Sequence, residues 1–362
     1  MATIVQKNIK KIYLKTMKFN KGEWSELYVF IKILSDNKIF LLDENLNYIN
    51  SFYEVIKVIR KELINSTYII NKDGKIIKQY ENSNIEIEKN KIIYFSLMIL
   101  NYLKSNSGSS FVINEISDIF QIIDSSTIKS GNSYNKSDIT LFLSNSEFFN
   151  KEFNFSIKSY IGNSPTLLNS SRATNFIYSI NISEKEMQEI NSIETKQKIR
   201  DRILYLKNNS IFMKFEYIEN NSFFTNIRLI DALLPNTLAK ILLNFYSGNG
   251  RKLSDLTNLV SNNNKYFSKN ELEYKIKLFL LSIGLGMVPA KEWDGFYSAD
   301  GYIVVKNNGD IGCFDILNKK TLANYLYHNT KLDTPSSSRH DFGYVYKNND
   351  KFYIKLNLQI RC

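Results

Sequence analysis

Three residues on two neighbouring strand-like segments carry groups that could do chemistry together. Asp138 opens the segment 138–143, and Ser156 and Lys158 lie within 153–159. Successive side chains of a strand point to opposite faces. Phe153, Phe155 and Ile157 therefore share one face, and Asn154, Ser156 and Lys158 the other. On the first segment Ile139, Leu141 and Leu143 take the buried face and leave Asp138 and Thr140 opposite. A turn at 144–151 joins the two, which places a carboxylate, a hydroxyl and an ammonium on one polar face. That set suits metal-assisted hydrolysis of a phosphodiester. Asp138 and the backbone carbonyl of Ile157 would hold a hard cation such as Mg²⁺, while Lys158 orients the attacking water and offsets the growing negative charge. The Ser156 hydroxyl is a weaker ligand than a carboxylate, so a second acid has to come from another element. A solvated hairpin face would show the same pattern, and the spacing alone leaves both readings open.

The second acid has a source in the helix expected over 23–34. Trp24, Leu27, Tyr28, Ile31 and Leu34 recur at helical spacing, with Gly22 just before the start. Glu23 and Glu26 both lie near that start, where the helix dipole favours carboxylates. Either can supply the second acid: Glu23 lies nearer the edge of the apolar stripe, and Glu26 stands four residues after Gly22. Strands are expected at 38–43 and 68–70, with Lys72-Asp73-Gly74-Lys75 as a hairpin turn. A helix at 90–103 ends before the small-residue loop 105–110. A rival acid set, Glu115, Asp118 and Asp124, lies at helical spacing in 114–125, where an exposed helix face explains it equally. After the hairpin, helices are expected at 167–176, 184–207, 235–245 and 270–281. Strands are expected at 212–217, 223–230, 302–306, 310–316, 343–347 and 352–361, divided by Asn-rich turns. No fixed-period repeat or long linker is visible. The pattern is that of a mixed α/β (α+β) chain: a core over 1–209 with the first helix and the hairpin, and an α+β part over 210–362 packed on it.

Scarcity excludes more than abundance establishes. Two cysteines (Cys313, Cys362) and two histidines (His328, His340) cannot build a Cys₄ or Cys₂His₂ zinc site or a disulfide framework. Any metal is left to carboxylates, which favours a hard cation. With 43% hydrophobic residues the chain can bury a sizeable core, which excludes disorder. Lys and Arg total 47 against 36 acids, a net charge of +11 that favours a polyanionic partner, nucleic acid before an anionic membrane. Lys, Asn, Ile, Tyr and Phe are all abundant, however, as an AT-rich genome would make them. The eight arginines are the cleaner signal. The longest apolar runs, 92–100 and 278–290, are shorter than the roughly 18–20 residues of a membrane span. Residues 1–18 scatter Lys through their apolar positions, unlike a signal peptide. A cytoplasmic location is expected.

The hairpin resembles the PD-(D/E)xK nuclease fold, with Ser137 in place of the proline before the acid and Ser156 in place of the acid before Lys158. Gly22 and Glu26 resemble the Gly-x-x-x-Glu first-helix motif of Holliday junction resolvases and many restriction enzymes. A wider set of blocks resembles the HpaII family of type II restriction endonucleases. They are Lys21-Gly22-Glu23-Trp24-Ser25-Glu26, Phe155-Ser156-Ile157-Lys158-Ser159, Pro165-Thr166-Leu167-Leu168-Asn169 and Thr174-Asn175-Phe176. Further along come Asp231-Ala232-Leu233-Leu234-Pro235, Gly286-Met287-Val288-Pro289 and Trp293-Asp294-Gly295. The tail adds Asp333-Thr334-Pro335-Ser336, Ser338-Arg339-His340 and Lys355-Leu356-Asn357-Leu358-Gln359-Ile360-Arg361. The resemblance runs from residue 21 to the C-terminus. It implies a PD-(D/E)xK core with a mixed sheet flanked by helices, and cleavage of both strands of a short DNA palindrome, CCGG for the namesake, with Mg²⁺ or Mn²⁺. It also implies Asp138, Ser156 and Lys158 as the nuclease core and Glu26 as the helix carboxylate.

Guanine is most often read by a bidentate arginine. Arg339, with Ser338 and His340 in the polar loop 333–340, and Arg172, with Asn169 and Asn175, are the candidate DNA contacts. Arg361 fits an ion pair equally well. The lysines of 7–18 would touch phosphates, which carry no sequence information. A palindrome suits a homodimer, and a companion methyltransferase would protect the host DNA. Two alternatives stay open: a DNA-binding protein whose nuclease face has degenerated, for which Ser156 is the argument, and a repair or homing nuclease.

Overall fold

A computed structural model describes residues 18–60, 66–79, 83–123, 136–262 and 265–362. The lysine-rich stretch 7–17 and Asp124 of the rival acid set lie outside the described residues. The chain is mixed α/β and forms two compact units. One comprises residues 1–165 and 298–322, the other 166–297 and 323–362. The expected division at 209/210 does not coincide with these units. The strands Gly301–Val305 and Ile311–Cys313 return to the first unit, where Gly301–Val305 pairs in parallel with the strand Lys151–Ser159.

The first unit is built on a nine-stranded mixed sheet. Its order is Lys38–Leu42, Ile311–Cys313, Gly301–Val305, Lys151–Ser159, Ile139–Ser144, Tyr48–Arg60, Ser66–Ile70, Ile76–Gln79 and Asn84–Ile87. Lys38–Leu42 also pairs with the first half of Tyr48–Arg60, so the sheet closes on itself and leaves that strand no open edge. The strand Tyr48–Arg60 is missing from the sequence reading because its first five residues are exposed and show no alternation. The hairpin of Ile139–Ser144 and Lys151–Ser159 agrees with expectation: Ile139 lies opposite Phe155, Thr140 opposite Asn154 and Leu141 opposite Phe153.

The first helix, Lys21–Asp36, starts earlier than its periodicity indicates. Asn20 caps it: its side-chain oxygen accepts the Glu23 amide at 3.0 Å, and the Glu23 carboxylate accepts the Asn20 amide at 2.9 Å. Gly22 therefore lies inside the first turn, and Glu26 one turn further in. Trp24, Leu27, Tyr28, Val29, Phe30, Ile31, Ile33 and Leu34 are buried almost all round the helix, the mark of an element inside a core. The Trp24 indole N–H donates to the Phe111 carbonyl (3.2 Å) and the two rings stack at 5.7 Å. The helix Lys89–Ser105 packs against it.

In the second unit a four-stranded sheet runs in the order Lys214–Ile218, Asn175–Ile180, Lys351–Asn357, Val345–Asn348. A three-stranded sheet joins Thr166–Leu168, Gln359–Arg361 and Lys331–Asp333. Three expectations fail here. Residues 167–176 are not helical: Ser171 opens a single tight turn, Arg172–Thr174, between two strands. The helix expected at 184–207 is two, Glu184–Asn191 and Lys198–Asn208. Arg202 of the second helix is wholly buried, and its guanidinium donates to the carbonyls of Ile190, Asn191 and Ile193 at the break and to that of Gly343. Residues 223–230 form a helix, Asn221–Ile230, because Asn220 caps the Phe223 amide at 3.0 Å and outweighs the strand propensity of the paired phenylalanines. Among the described residues no helix is long and apolar enough to cross a membrane.

Candidate active site

The hairpin register brings Asp138, Ser156, Ile157 and Lys158 together at the end of the strand pair. The Asp138 amide donates to the Phe155 carbonyl at 2.8 Å. Its side-chain Oδ2 accepts the Ile157 amide at 2.7 Å and the Ser156 hydroxyl at 3.2 Å. The N–H and C=O of one strand residue point to the same edge. The Ile157 carbonyl is thus turned to the edge where Asp138 sits, beyond the start of the strand Ile139–Ser144. Ser156 is 2% exposed, and its hydroxyl donates to the carboxylate. This placement makes it an orienting group for Asp138. Lys158 holds its ammonium 5.2 Å from the centre of the Tyr302 ring on the adjacent strand.

Glu26 joins this cluster from the first helix. Burial, then the charges of Asp138 and Glu23, push its carboxyl up to about 8, against the pull of Lys158 and Arg60. Burial also raises Asp138, while Lys158, the Ile157 amide, the Ser156 hydroxyl and Lys136 pull it down. Two half-buried carboxylates repelling one another is the electrostatic situation that a divalent cation relieves. The donor set fits such an ion. Among the described residues no three acids, histidines or cysteines converge into a cage. Two carboxylates and a turned-out carbonyl match Mg²⁺, which keeps several of its waters. Glu23, by contrast, is engaged in the helix cap, and Glu115 of the rival set accepts the Tyr102 hydroxyl at 3.3 Å.

Two cations at this cluster escaped the sequence reading. Lys136 lies two residues before Asp138, in the segment that precedes the strand Ile139–Ser144, and its closeness in sequence is the signal it offers. Its amide donates to the Ser298 hydroxyl at 3.1 Å. Burial first, then Lys158, lower its ammonium to about 8, with Asp138 opposing. Arg60 ends the unrecognised strand Tyr48–Arg60, is 2% exposed, and rests 4.8 Å from the Phe30 ring centre. No local pattern marks it.

The candidate DNA contacts all lie in the second unit, where the structure brings their two segments together. The Ser170 hydroxyl is 3.0 Å from His340 Nε2, and the Asn175 side-chain amide donates to the His340 carbonyl at 3.0 Å. Asn169, Arg172, Ser338 and Arg339 are exposed, and His340 is half-buried. Burial and the Arg339 charge lower the His340 imidazole. Asn175 is a correction. It is wholly buried, its amide group donating to Glu219 (2.7 Å) and its oxygen accepting from Asn357 (2.7 Å). It holds the loops and presents nothing to a ligand. Arg361 pairs with Asp333 at 2.8 Å, the ion-pair alternative.

A metal-ready pair of carboxylates with lysines on a strand hairpin is the equipment of a phosphodiester hydrolase, and comparison with known proteins supplies the class. Residues 20–362 match the HpaII restriction endonuclease family model. The chain is also 37% identical, over 353 residues, to the type II restriction enzyme HpaII of Haemophilus parainfluenzae, covering 94% of this chain and 98% of that one. It is a type II site-specific deoxyribonuclease. It belongs to the HpaII restriction endonuclease family. No solved structure matches it.

Proposed function

We propose that the enzyme cleaves both strands of CCGG with Mg²⁺, Mn²⁺ substituting, at a PD-(D/E)xK-type centre formed by Asp138, Glu26, Ser156, Lys158 and the Ile157 carbonyl. The observation that carries this reading is the meeting of Glu26 with Asp138, each carboxyl raised by burial and Glu26 further raised by Asp138. That meeting answers the argument from Ser156 for a degenerate site: the acid missing from the strand is supplied by the helix.

Asp138 and Glu26 with the Ile157 carbonyl would hold the ion, which when bound would supply Lewis-acid activation of the phosphate and of water. Ser156 and the Ile157 amide fix the Asp138 carboxylate by hydrogen bonds, so it does not reorganise during reaction. Lys158 orients the attacking water and offsets charge that grows on the phosphoryl oxygens. Lys136 adds a second positive charge beside it. Arg339 and Arg172, with Asn169, Ser338 and His340 around them, read bases. The chain acts as a homodimer, one active site per strand, in the cytoplasm, with a companion methyltransferase protecting host DNA.

The test is digestion of a sequenced plasmid with Mg²⁺, with Mn²⁺ and with EDTA, followed by sequencing of the fragment ends. The reading expects defined ends at CCGG and no cleavage in chelator. Undiminished cutting in EDTA contradicts the metal centre, and defined ends at another sequence contradict the site.

A further inference from the structure

In the second unit the segment 196–200, the 245–251 loop and residues 333–337 enclose an open cleft of about 620 Å³. Its lining carries four cations, Lys196, Lys198, Arg200 and Arg251, against one carboxylate, Asp333. Two of the four are committed. Lys198 pairs with Glu194 at 2.8 Å, and Arg251 with Asp333 at 2.6 Å. Lys196 and Arg200 form no ion pair with any described residue. Arg200 keeps a single side-chain hydrogen bond, to Gln197 Oε1 at 3.2 Å. Its guanidinium lies against Gly248, at φ +86, where a Cβ would stand 2.6 Å from the Arg200 Nε. Glycine there admits the arginine to the cleft wall. Thr334, Ser336 and Ser337, each carrying a hydroxyl, also line the cleft.

We propose that this cleft holds a backbone phosphate of the DNA duplex. Its chemistry is that of a phosphodiester site: an ammonium point charge, a planar guanidinium fork and neutral hydroxyl donors, with no unpaired acid. An exposed cation pair with no partner contributes little to folding, so its placement beside a third and fourth positive charge serves an anion. DNA is favoured over a small phosphate by continuity. The wall at 333–337 runs directly into the short helix Ser337–His340, which carries the exposed Arg339. A phosphate gripped in the cleft anchors the backbone beside the residues proposed to read bases, fixing register without reading sequence. The inference rests on the enzyme's action on DNA and is independent of the CCGG assignment.

The test is equilibrium binding of two short duplexes, one with the cleavage site and one without, to wild-type protein and to Lys196→Ala/Arg200→Ala, over a salt series in Ca²⁺ to prevent cutting. Wild-type binding of both duplexes is the reference; its absence would count against the proposed DNA reading and is seen without any variant. The double variant should lose affinity for both duplexes by the same factor, about 10-fold or more. The slope of log affinity against log salt should fall by roughly 0.9, the contribution of the one phosphate held. Arg200→Lys, keeping the charge, should restore the slope when Lys196 is intact. Unchanged affinity and slope overturn the proposal. So does a loss confined to the site-containing duplex, which would mean that bases, and not backbone, occupy the cleft.

Discussion

The hairpin proposed to cut and the loops proposed to read DNA solve the same positioning problem by different means. Asp138 and Lys158 are set by strand register and its period of two residues; the Asp138 amide donates to the Phe155 carbonyl, and the Ile157 amide and Ser156 hydroxyl both donate to the Asp138 carboxylate. Arg172 and Arg339 sit on exposed turns far apart in sequence, held together by a buried amide network. Asn357 donates to the Ser171 carbonyl and to Asn175 Oδ1, both at 2.7 Å, and Asn175 in turn ties Glu219 and the His340 carbonyl. The first arrangement is set within one hairpin and is half-buried. The second depends on tertiary contacts and leaves its working groups in solvent. Damage to the first should therefore stop the chemistry, and damage to the second should loosen choice of substrate and stability before chemistry.

The largest effects are expected at the hairpin. Asp138→Ala and Lys158→Ala should each lower single-turnover cleavage by about 10³-fold or more, as loss of a metal ligand and of a charge stabiliser. Glu26→Ala should be nearly as damaging. Glu23→Ala should keep most of the activity and lose about 1 kcal/mol of stability through the helix cap. Normal cutting by Glu26→Ala with a dead Glu23→Ala would reverse the two acids. Ser156→Ala should cost least, since it removes one orienting hydrogen bond.

At the reading loops, Arg339→Ala should cost about 1–3 kcal/mol of discrimination between cognate and altered sites, measured as a ratio of cleavage rates. Intact discrimination would move the reader to Arg172. Asn357→Ala, which leaves Asn175 and Ser171 without their buried partner, should lower stability to urea by about 1–3 kcal/mol and relax discrimination together. Stability lost with discrimination unchanged would separate the network from reading.

In the hairpin, strand periodicity puts Asp138, Ser156 and Lys158 on one polar face, and the resemblance of Gly22 and Glu26 to a first-helix motif points to Glu26. Lys136 stands before the strand Ile139–Ser144, where periodicity does not select it. Arg60 was invisible, since the strand that carries it alternates only in its buried second half. In the second unit, Asn175 looked like a base contact because a buried and an exposed asparagine are identical in sequence. Its burial comes from Asn357, 182 residues away. The aromatic pair Phe223-Phe224 has strand propensity, which the Asn220 cap outweighs.

A smaller effect concerns pH. The Glu26 carboxyl, raised from its ordinary 4.5 to about 8, favours the protonated form in the folded metal-free protein. Its contribution to stability is full below the ordinary value and is lost as pH rises through about 8. Metal-free urea unfolding from pH 5 to 9 should show that loss, and Glu26→Gln should flatten it. Because the ion must displace the proton, Mg²⁺ binding should strengthen over the same range. A Glu26→Gln profile identical to wild type would show that the carboxyl is not buried beside Asp138.

The most direct test of the division between cutting and reading is a paired measurement on Lys158→Ala: affinity for a cognate duplex in Ca²⁺, and single-turnover cleavage of the same duplex in Mg²⁺. The division predicts affinity and cognate preference close to wild type with cleavage lost. Cleavage at the wild-type rate, or affinity and cleavage falling by the same factor, would contradict it.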